Sequence, residues 1–292
     1  MFEGFDNFEI NTSGTTIRGR TGGTGPPVLL LHGIPETHLM WHRVAPALAR
    51  HFTVVATDLR GFGDSGKPSS DADHTPYSMR SLAWDQVEVM AALGHESFAV
   101  VGHDRGARCA YRIALDHPRV VDKLAVLDVV PTGDAFDRAD KRFSLGYWFW
   151  SFLAAPAPVP ETLIAAAPDV LVNHMLDEWS RASAAFPPEV RAEYIAKFRD
   201  PATVHAICEE YRAAATLDHE HDAADRRQGS RIGCPVLALW DPNGAVGTWY
   251  EPLELWREWA DDVSGGPVDA GHFMAEEAPE EVADRLLGFL NH

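Results

Sequence analysis

An α/β fold around a mostly parallel sheet, interrupted once by a helical insertion, is what this chain predicts, and three observations predict it. Short uninterrupted apolar runs alternate with helix-period segments through the first half, the rhythm of crossover units. From about residue 132 to 225 that rhythm stops, and aromatics, alanine and proline dominate at helical spacing with no convincing strand. The alternation then resumes to the end of the sequence. The expected division is a first core part over 1–131, a helical insertion over 132–225 and a second core part over 226–292.

The elements follow in order. Val28 to Leu31, Thr53 to Ala56, Phe98 to Val101 and Leu124 to Leu127 read as strands covered on both faces, because each is short and uninterrupted. The GGTG at 22–25 reads as a hairpin turn ahead of the first of them. Trp41 to Leu48 and Ser78 to Leu93 carry apolar residues at helical spacing, with Ser78 as the N-cap of the second. The insertion includes the AAPAPVPE stretch at 154–161. Pro235 to Trp240 then restores a strand, Pro252 to Trp259 a helix, Pro267 to Asp269 a short strand, and Pro279 to Leu290 an amphipathic helix.

Composition excludes several classes of function. With 46% hydrophobic and 23% charged residues in 292, the chain can bury a large core. A formal net charge of −18 sets it against phosphate and anionic bilayers, so neither nucleic acid nor a membrane is an expected partner. Cys109, Cys208 and Cys234 are odd in number and lack CxxC spacing, which argues against a disulfide framework or a zinc site and fits a reducing compartment. The opening MFEGFDNFEI has neither the basic nor the apolar region of a signal peptide. No apolar run approaches the ~20 residues needed to span a bilayer, and a cytoplasmic protein is expected.

In an open α/β sheet, ligands sit beyond the carboxyl ends of the strands. Gly102-His103-Asp104-Arg105-Gly106 follows the FAVV run, and glycines on both sides allow the sharp strand-to-helix elbow that exposes a nucleophile, here Asp instead of Ser. Asp128 follows LAVL, and Gly271-His272-Phe273 follows the last short strand. That is the chain order nucleophile, acid, histidine. A carboxylate nucleophile suits displacement at saturated carbon, forming an alkyl ester that histidine-activated water then cleaves. Dehalogenation or epoxide opening is therefore expected. The plain alternative for Asp104 alone is a helix-capping carboxylate.

These residues also carry a resemblance. His32-Gly33-Ile34-Pro35 with Trp41, Asp58-Leu59-Arg60-Gly61-Phe62-Gly63-Asp64-Ser65, and GHDRGAR resemble the epoxide hydrolase and dehalogenase branch of the α/β-hydrolase fold. Within it, the chain looks most like the fluoroacetate dehalogenases, from about residue 8 to 290 and including WSFLAAPAPVPE and CEEYRA. The resemblance implies an α/β-hydrolase core with residues 132–225 as its lid. It implies Asp104 as nucleophile, His272 as the water-activating base and Asp128 as the acid that orients it. Asp241, after PVLALW, is a rival acid. Arg105 and Arg108 match the pair that holds a substrate carboxylate, a task suited to planar guanidinium groups. The backbone N–H groups of Ile34 and Arg105 are the expected oxyanion hole.

Trp150 and Tyr211 stand in the segments that supply leaving-group donors, but Phe149 replaces the histidine of that pattern. A phenyl ring donates no hydrogen bond, so release of fluoride is expected to suffer more than release of chloride or bromide. Tyr147, Phe149 and His103 are expected to line the pocket. The alternative is an epoxide hydrolase with the same triad, in which Tyr211 and Trp150 donate to the oxirane oxygen and Tyr147 or Tyr250 is a further donor. A ligand receptor without turnover is a third reading. Trp148, Trp179, Trp249 and Trp256 are assigned to packing. His219 and His221, in DHEHD, read as a solvated turn, and no metal or cofactor is expected. The partner implied is a small-molecule substrate, with a homodimer through the lid suggested by the resemblance.

Overall fold

Runs such as FAVVGH and PVLLL can be strands only if both faces are covered, and they occupy the middle of an eight-stranded sheet. The computed structural model describes residues 1–292, the side chain of Ser183 excepted. Its strands are β1 (Asp6–Asn11), β2 (Thr16–Gly22), β3 (Pro27–Leu31), β4 (Thr53–Thr57), β5 (Phe98–His103), β6 (Val121–Leu127), β7 (Val236–Trp240) and β8 (Val263–Pro267). They lie in the order β1-β2-β4-β3-β5-β6-β7-β8. β2 is antiparallel to β1 and to β4, and every other pairing is parallel.

Alternation along the buried strands divides the core. Val28, Leu30, Val54, Ala56, Val101 and Leu239 face Trp41, Leu48 and, from helix Pro279–Leu290, Val282 and Leu286. Leu29, Leu31, Val55, Val100 and Val126 face helices Met79–Ala92 and Arg105–Asp116 on the other side. Ser78 does cap the first of these, its side chain accepting from Ser81 N–H.

The structure departs from the sequence expectations in several places. β1 and β2 form an N-terminal antiparallel pair that the apolar runs did not signal, because Ile17 and Gly19 point inward while Arg18 and Arg20 stay in contact with water. GGTG is not a hairpin turn, since β4 lies between the two strands that it joins. The segment from Trp41 to Leu48 is split into a 3-10 turn, His38–Trp41, and a short helix, Ala45–Leu48. The last strand lies at Val263–Pro267 instead of 267–269. Gly265 there has φ +142°, and a Cβ would stand 1.9 Å from the Ala238 carbonyl oxygen. Close backbone approach holds this strand, not an apolar run.

Between β6 and β7 the described residues form only helices and their connections, from Thr132–Asp137 to His219–Gln228. Proline opens several of them, including Pro168–Glu178, Pro188–Phe198 and Pro201–Ala213. At the first helical turn its missing N–H costs nothing, which accounts for the proline content of the insertion. His219 and His221 lie in a helix, not in a turn, and His219 Nε2 is 2.7 Å from Asp137.

Candidate active site

Asp104 joins β5 directly to helix Arg105–Asp116, with φ 44° and ψ −112°. A non-glycine residue with positive φ is strained and persists only where its surroundings hold it. Those surroundings are packed glycines. A Cβ at Gly102 would stand 2.4 Å from the Gly106 carbonyl oxygen, one at Gly106 2.5 Å from that of Leu31, and one at Gly33 2.8 Å from the Asp104 Cβ. The Ile34 N–H donates to Asp104 Oδ2 at 3.2 Å. Burial alone would raise the Asp104 pKa, but the charges of His272, Arg105, His103 and Arg108 outweigh it and hold the carboxyl below its usual range.

Asp128 follows β6, also at positive φ (51°). Its Oδ2 lies 2.7 Å from His272 Nδ1, while its Oδ1 accepts from the Asp241 N–H at 3.0 Å. His272 Nδ1 therefore carries the proton, and Nε2 is the free nitrogen of this ring on the cavity wall. Burial opposes the imidazolium, but the hydrogen bond and charge of Asp128, then the charges of Asp104 and Glu36, push His272 up to about 9. The rival Asp241 is not the histidine's partner: its own carboxylate pairs with Arg181.

Arg105 is buried, with Nε donating to Glu210 Oε1 at 2.7 Å and its guanidinium 4.5 Å from the Tyr211 ring centroid. Arg108 donates from Nη1 to the Val130 carbonyl and to Thr132 Oγ1, both at 3.0 Å, and stands 4.6 Å from the Trp150 ring centroid. Arg105 Nη1, Arg108 Nε and the Tyr211 hydroxyl are buried without a hydrogen-bond partner. Buried unpaired donors are costly, and three together mark a place where a polar ligand would be stabilised.

A cavity of about 310 Å³ opens over Asp104, Asp128 and His272, with Arg108 in its wall. Tyr147, Phe149, Trp150, Trp179 and Trp249 supply its aromatic lining. Arg105, Tyr211 and Ile34 lie outside this lining, in contact with residues that form it. Two expectations need correction. His103 does not line the cavity: it is fully buried, with Nδ1 2.9 Å from Glu36 Oε2 and Nε2 donating to the His272 carbonyl at 2.8 Å. Trp179 and Trp249 are not mere packing, since both face the cavity; Trp148 packs against Phe152 and His174 with 39% of its surface exposed, and Trp256 is a buried core residue as assigned. Tyr250 lies outside the lining.

A family model described as the alpha/beta hydrolase fold matches residues 26–279. The chain belongs to the α/β-hydrolase family. It is 42% identical to a fluoroacetate dehalogenase of Burkholderia sp, over 100% of this chain and 95% of that one. It is 32% identical to a soluble epoxide hydrolase of Corynebacterium sp. (strain C12), over 92% and 91%. A Nostoc sp PCC 7120 structure described as an alpha/beta hydrolase superposes with TM-score 0.98 at 51% identity, covering 100% of both chains. The protein is thus an enzyme, a hydrolase of the α/β fold. Among its described residues no helix is long and apolar enough to cross a membrane.

Sequence reasoning missed several residues in and around this candidate site. Glu36 directly follows the HGIP motif, and its position there was the available signal. Glu210 shares a helical face with Ile207 and Ala214, so its carboxylate on an apolar stripe was legible as a buried acid. Trp179 and Arg181 lie between helices, where no local pattern marks them.

Proposed function

We propose that this hydrolase displaces halide from a 2-halocarboxylate of the haloacetate type through a covalent ester on Asp104, with residues 132–225 as the lid. The observation that carries the reading is the pair of buried guanidinium groups beside Asp104, each with an unpartnered N–H. Those N–H groups match a substrate carboxylate, whereas a neutral substrate would leave them without a charged acceptor.

An Asp104 carboxylate oxygen attacks the halogen-bearing carbon, forming the C–O bond as the carbon–halogen bond breaks and halide leaves with the electron pair. Arg105 and Arg108 orient the substrate carboxylate. Trp150 and Tyr211 donate to the leaving halide. Water then attacks the Asp104 carbonyl carbon, giving up a proton to His272 Nε2, while the Ile34 and Arg105 N–H groups receive the oxyanion. Collapse breaks the ester C–O bond, the departing oxygen takes the proton from His272 to give the hydroxy acid, and the Asp104 carboxyl group loses its remaining proton to water and is a carboxylate again. Every bond change is accounted for by side chains and water, so the reaction needs no cofactor. Phe149 supplies no donor, and chloride or bromide should leave more readily than fluoride.

Epoxide opening by the same triad is the second reading, favoured by the unpartnered Tyr211 hydroxyl, which is suited to donate to an oxirane oxygen. Fluoroacetate, chloroacetate and styrene oxide, assayed for halide and diol, separate the two. Arg108→Leu should weaken chloroacetate turnover and spare the epoxide. Heavy-oxygen water in a single turnover should label Asp104, not the product; label in the first product refutes the ester. His272→Ala should trap that ester. The apolar side chains Leu145, Trp148, Leu163 and Val170 are exposed on the helical segment and would suit contact with a second copy of the chain. Sedimentation tests that dimer. Three free cysteines fit a cytoplasmic enzyme.

A further inference from the structure

Backbone N–H groups from two distant segments converge on the side chain of Glu277. Its Oε2 accepts from Arg181 at 2.7 Å, Ala182 at 3.2 Å and Gly271 at 3.1 Å, and its Oε1 accepts from Phe273 at 3.1 Å. Arg181 and Ala182 belong to the connection after helix Pro168–Glu178, whereas Gly271 and Phe273 flank His272. One more bond crosses the same seam, from the His272 N–H to the Trp179 carbonyl at 3.0 Å. The Trp179 indole lies 5.8 Å from the His272 ring and 4.4 Å from that of Phe149, measured between centroids. Gly271 is tied to this arrangement, since a Cβ there would stand 2.7 Å from both the Arg181 nitrogen and Glu277 Oε1.

We propose that Glu277 is a positioning residue that locks residues 179–182 to the histidine loop, so that His272 is held for ester hydrolysis only while that segment is seated. The inference rests on the ester mechanism of the preceding section. Its physical basis is the acceptor count. A carboxylate presents two oxygens with lone pairs enough for all these donors. Glutamine presents one oxygen and an NH2 group, so at least one N–H must lose its acceptor and face another donor. The first half-reaction should tolerate this, because Glu277 touches neither Asp104 nor the residues proposed to hold the substrate. The second should not, because it depends on where His272 points.

The test uses the full chain as Glu277→Gln and Glu277→Asp, with chloroacetate in rapid-quench single turnovers. In the glutamine variant the chloride burst should persist while glycolate release falls about tenfold to a hundredfold, the effect of losing a hydrogen bond to a charged group. The ester should then accumulate on the peptide that contains Asp104. Glu277→Asp should restore part of the lost rate. Both half-reactions falling together, or neither falling, overturns the proposal, since a merely structural role would not divide them. Hydrogen–deuterium exchange supplies a readout without substrate: residues 179–182 and 271–273 should lose protection together. Loss in one segment alone, or in neither, overturns the coupling. Should the glutamine variant not fold, the aspartate variant carries both readouts. Should the wild type release no chloride, the haloacid reading fails by itself, and styrene oxide replaces chloroacetate as the ester-forming probe.

Discussion

Replacing Asp128 by Asn tests the histidine's role through a change of a few atoms. In the wild type, burial would lower the His272 pKa, yet it stands at about 9 against an ordinary 6.5. At about 1.4 kcal/mol per tenfold change in proton affinity, that is about 3 kcal/mol of stabilisation of the imidazolium. Asp128 supplies the largest share, through its hydrogen bond and its charge. In the variant the Asp241 N–H, 3.0 Å from Oδ1, keeps an oxygen at that position. The new NH2 group then faces His272 Nδ1, which must become the acceptor. Nε2 takes the proton and can no longer accept one from water. Ester hydrolysis should fall at least about a hundredfold, with the chloride burst from chloroacetate retained and the ester visible by mass on the Asp104 peptide. The same pKa carries a stability signature. A histidine more basic folded than unfolded contributes stability that is fully present below pH 6.5 and lost as pH rises through about 9. The difference in Tm between wild type and variant should therefore narrow across that interval. Glycolate release at the wild-type rate, with no ester on Asp104, refutes the reasoning.

Phe149→His restores a donor to a position that lines the cavity, and the ratio of fluoride to chloride release should rise about tenfold or more, measured by halide electrodes. Glu210→Gln removes the charged partner of the fully buried Arg105; leaving that cation uncompensated should cost about 3–5 kcal/mol, seen as a large fall in Tm. Gly106→Ala places a Cβ 2.5 Å from the Leu31 carbonyl oxygen, a backbone atom that cannot swing aside, and should cost more than ~3 kcal/mol in chemical denaturation. Because Asp104's charge helps to raise His272, ester decay should follow a group that titrates below about 9, read from single-turnover rates against pH; a dependence still centred at 9 would contradict the link.

How much of this was legible in the sequence differs with the kind of signal. The buried strands were, because a run such as FAVV has one physical explanation in a folded chain. The elbow was too, because Gly102 and Gly106 are forced by backbone contacts that no larger residue can make. β1 and β2 were not, since half-exposed strands at the margin of the sheet show only weak alternation. β8 was not, because Gly265 and Gly266 stand where apolar residues would have signalled it. Glu210 was legible as a buried acid but its pairing with Arg105 was not, because that pairing spans 105 positions in the chain. The lining by Trp179 and Trp249 depends on how the helical insertion folds back over the sheet, and no local periodicity encodes that.

The charge arrangement explains how one histidine could serve the two steps of the proposed reaction. At neutral pH a His272 with a pKa of about 9 is protonated, and a protonated ring cannot activate water. Asp104 contributes to that basicity, and His272 in turn heads the charges that keep Asp104 ionised and nucleophilic. Each group thus prepares the other for the first step and not for the second. In the proposed reaction, alkylation converts the Asp104 carboxylate into a neutral ester, which removes one of the charges holding the proton on His272. The ring then releases that proton more readily and becomes the base that hydrolysis needs. In the proposed reaction Arg105 and Arg108 would hold the carboxylate of substrate, ester and product alike, so the switch is confined to the pair of groups that exchange roles.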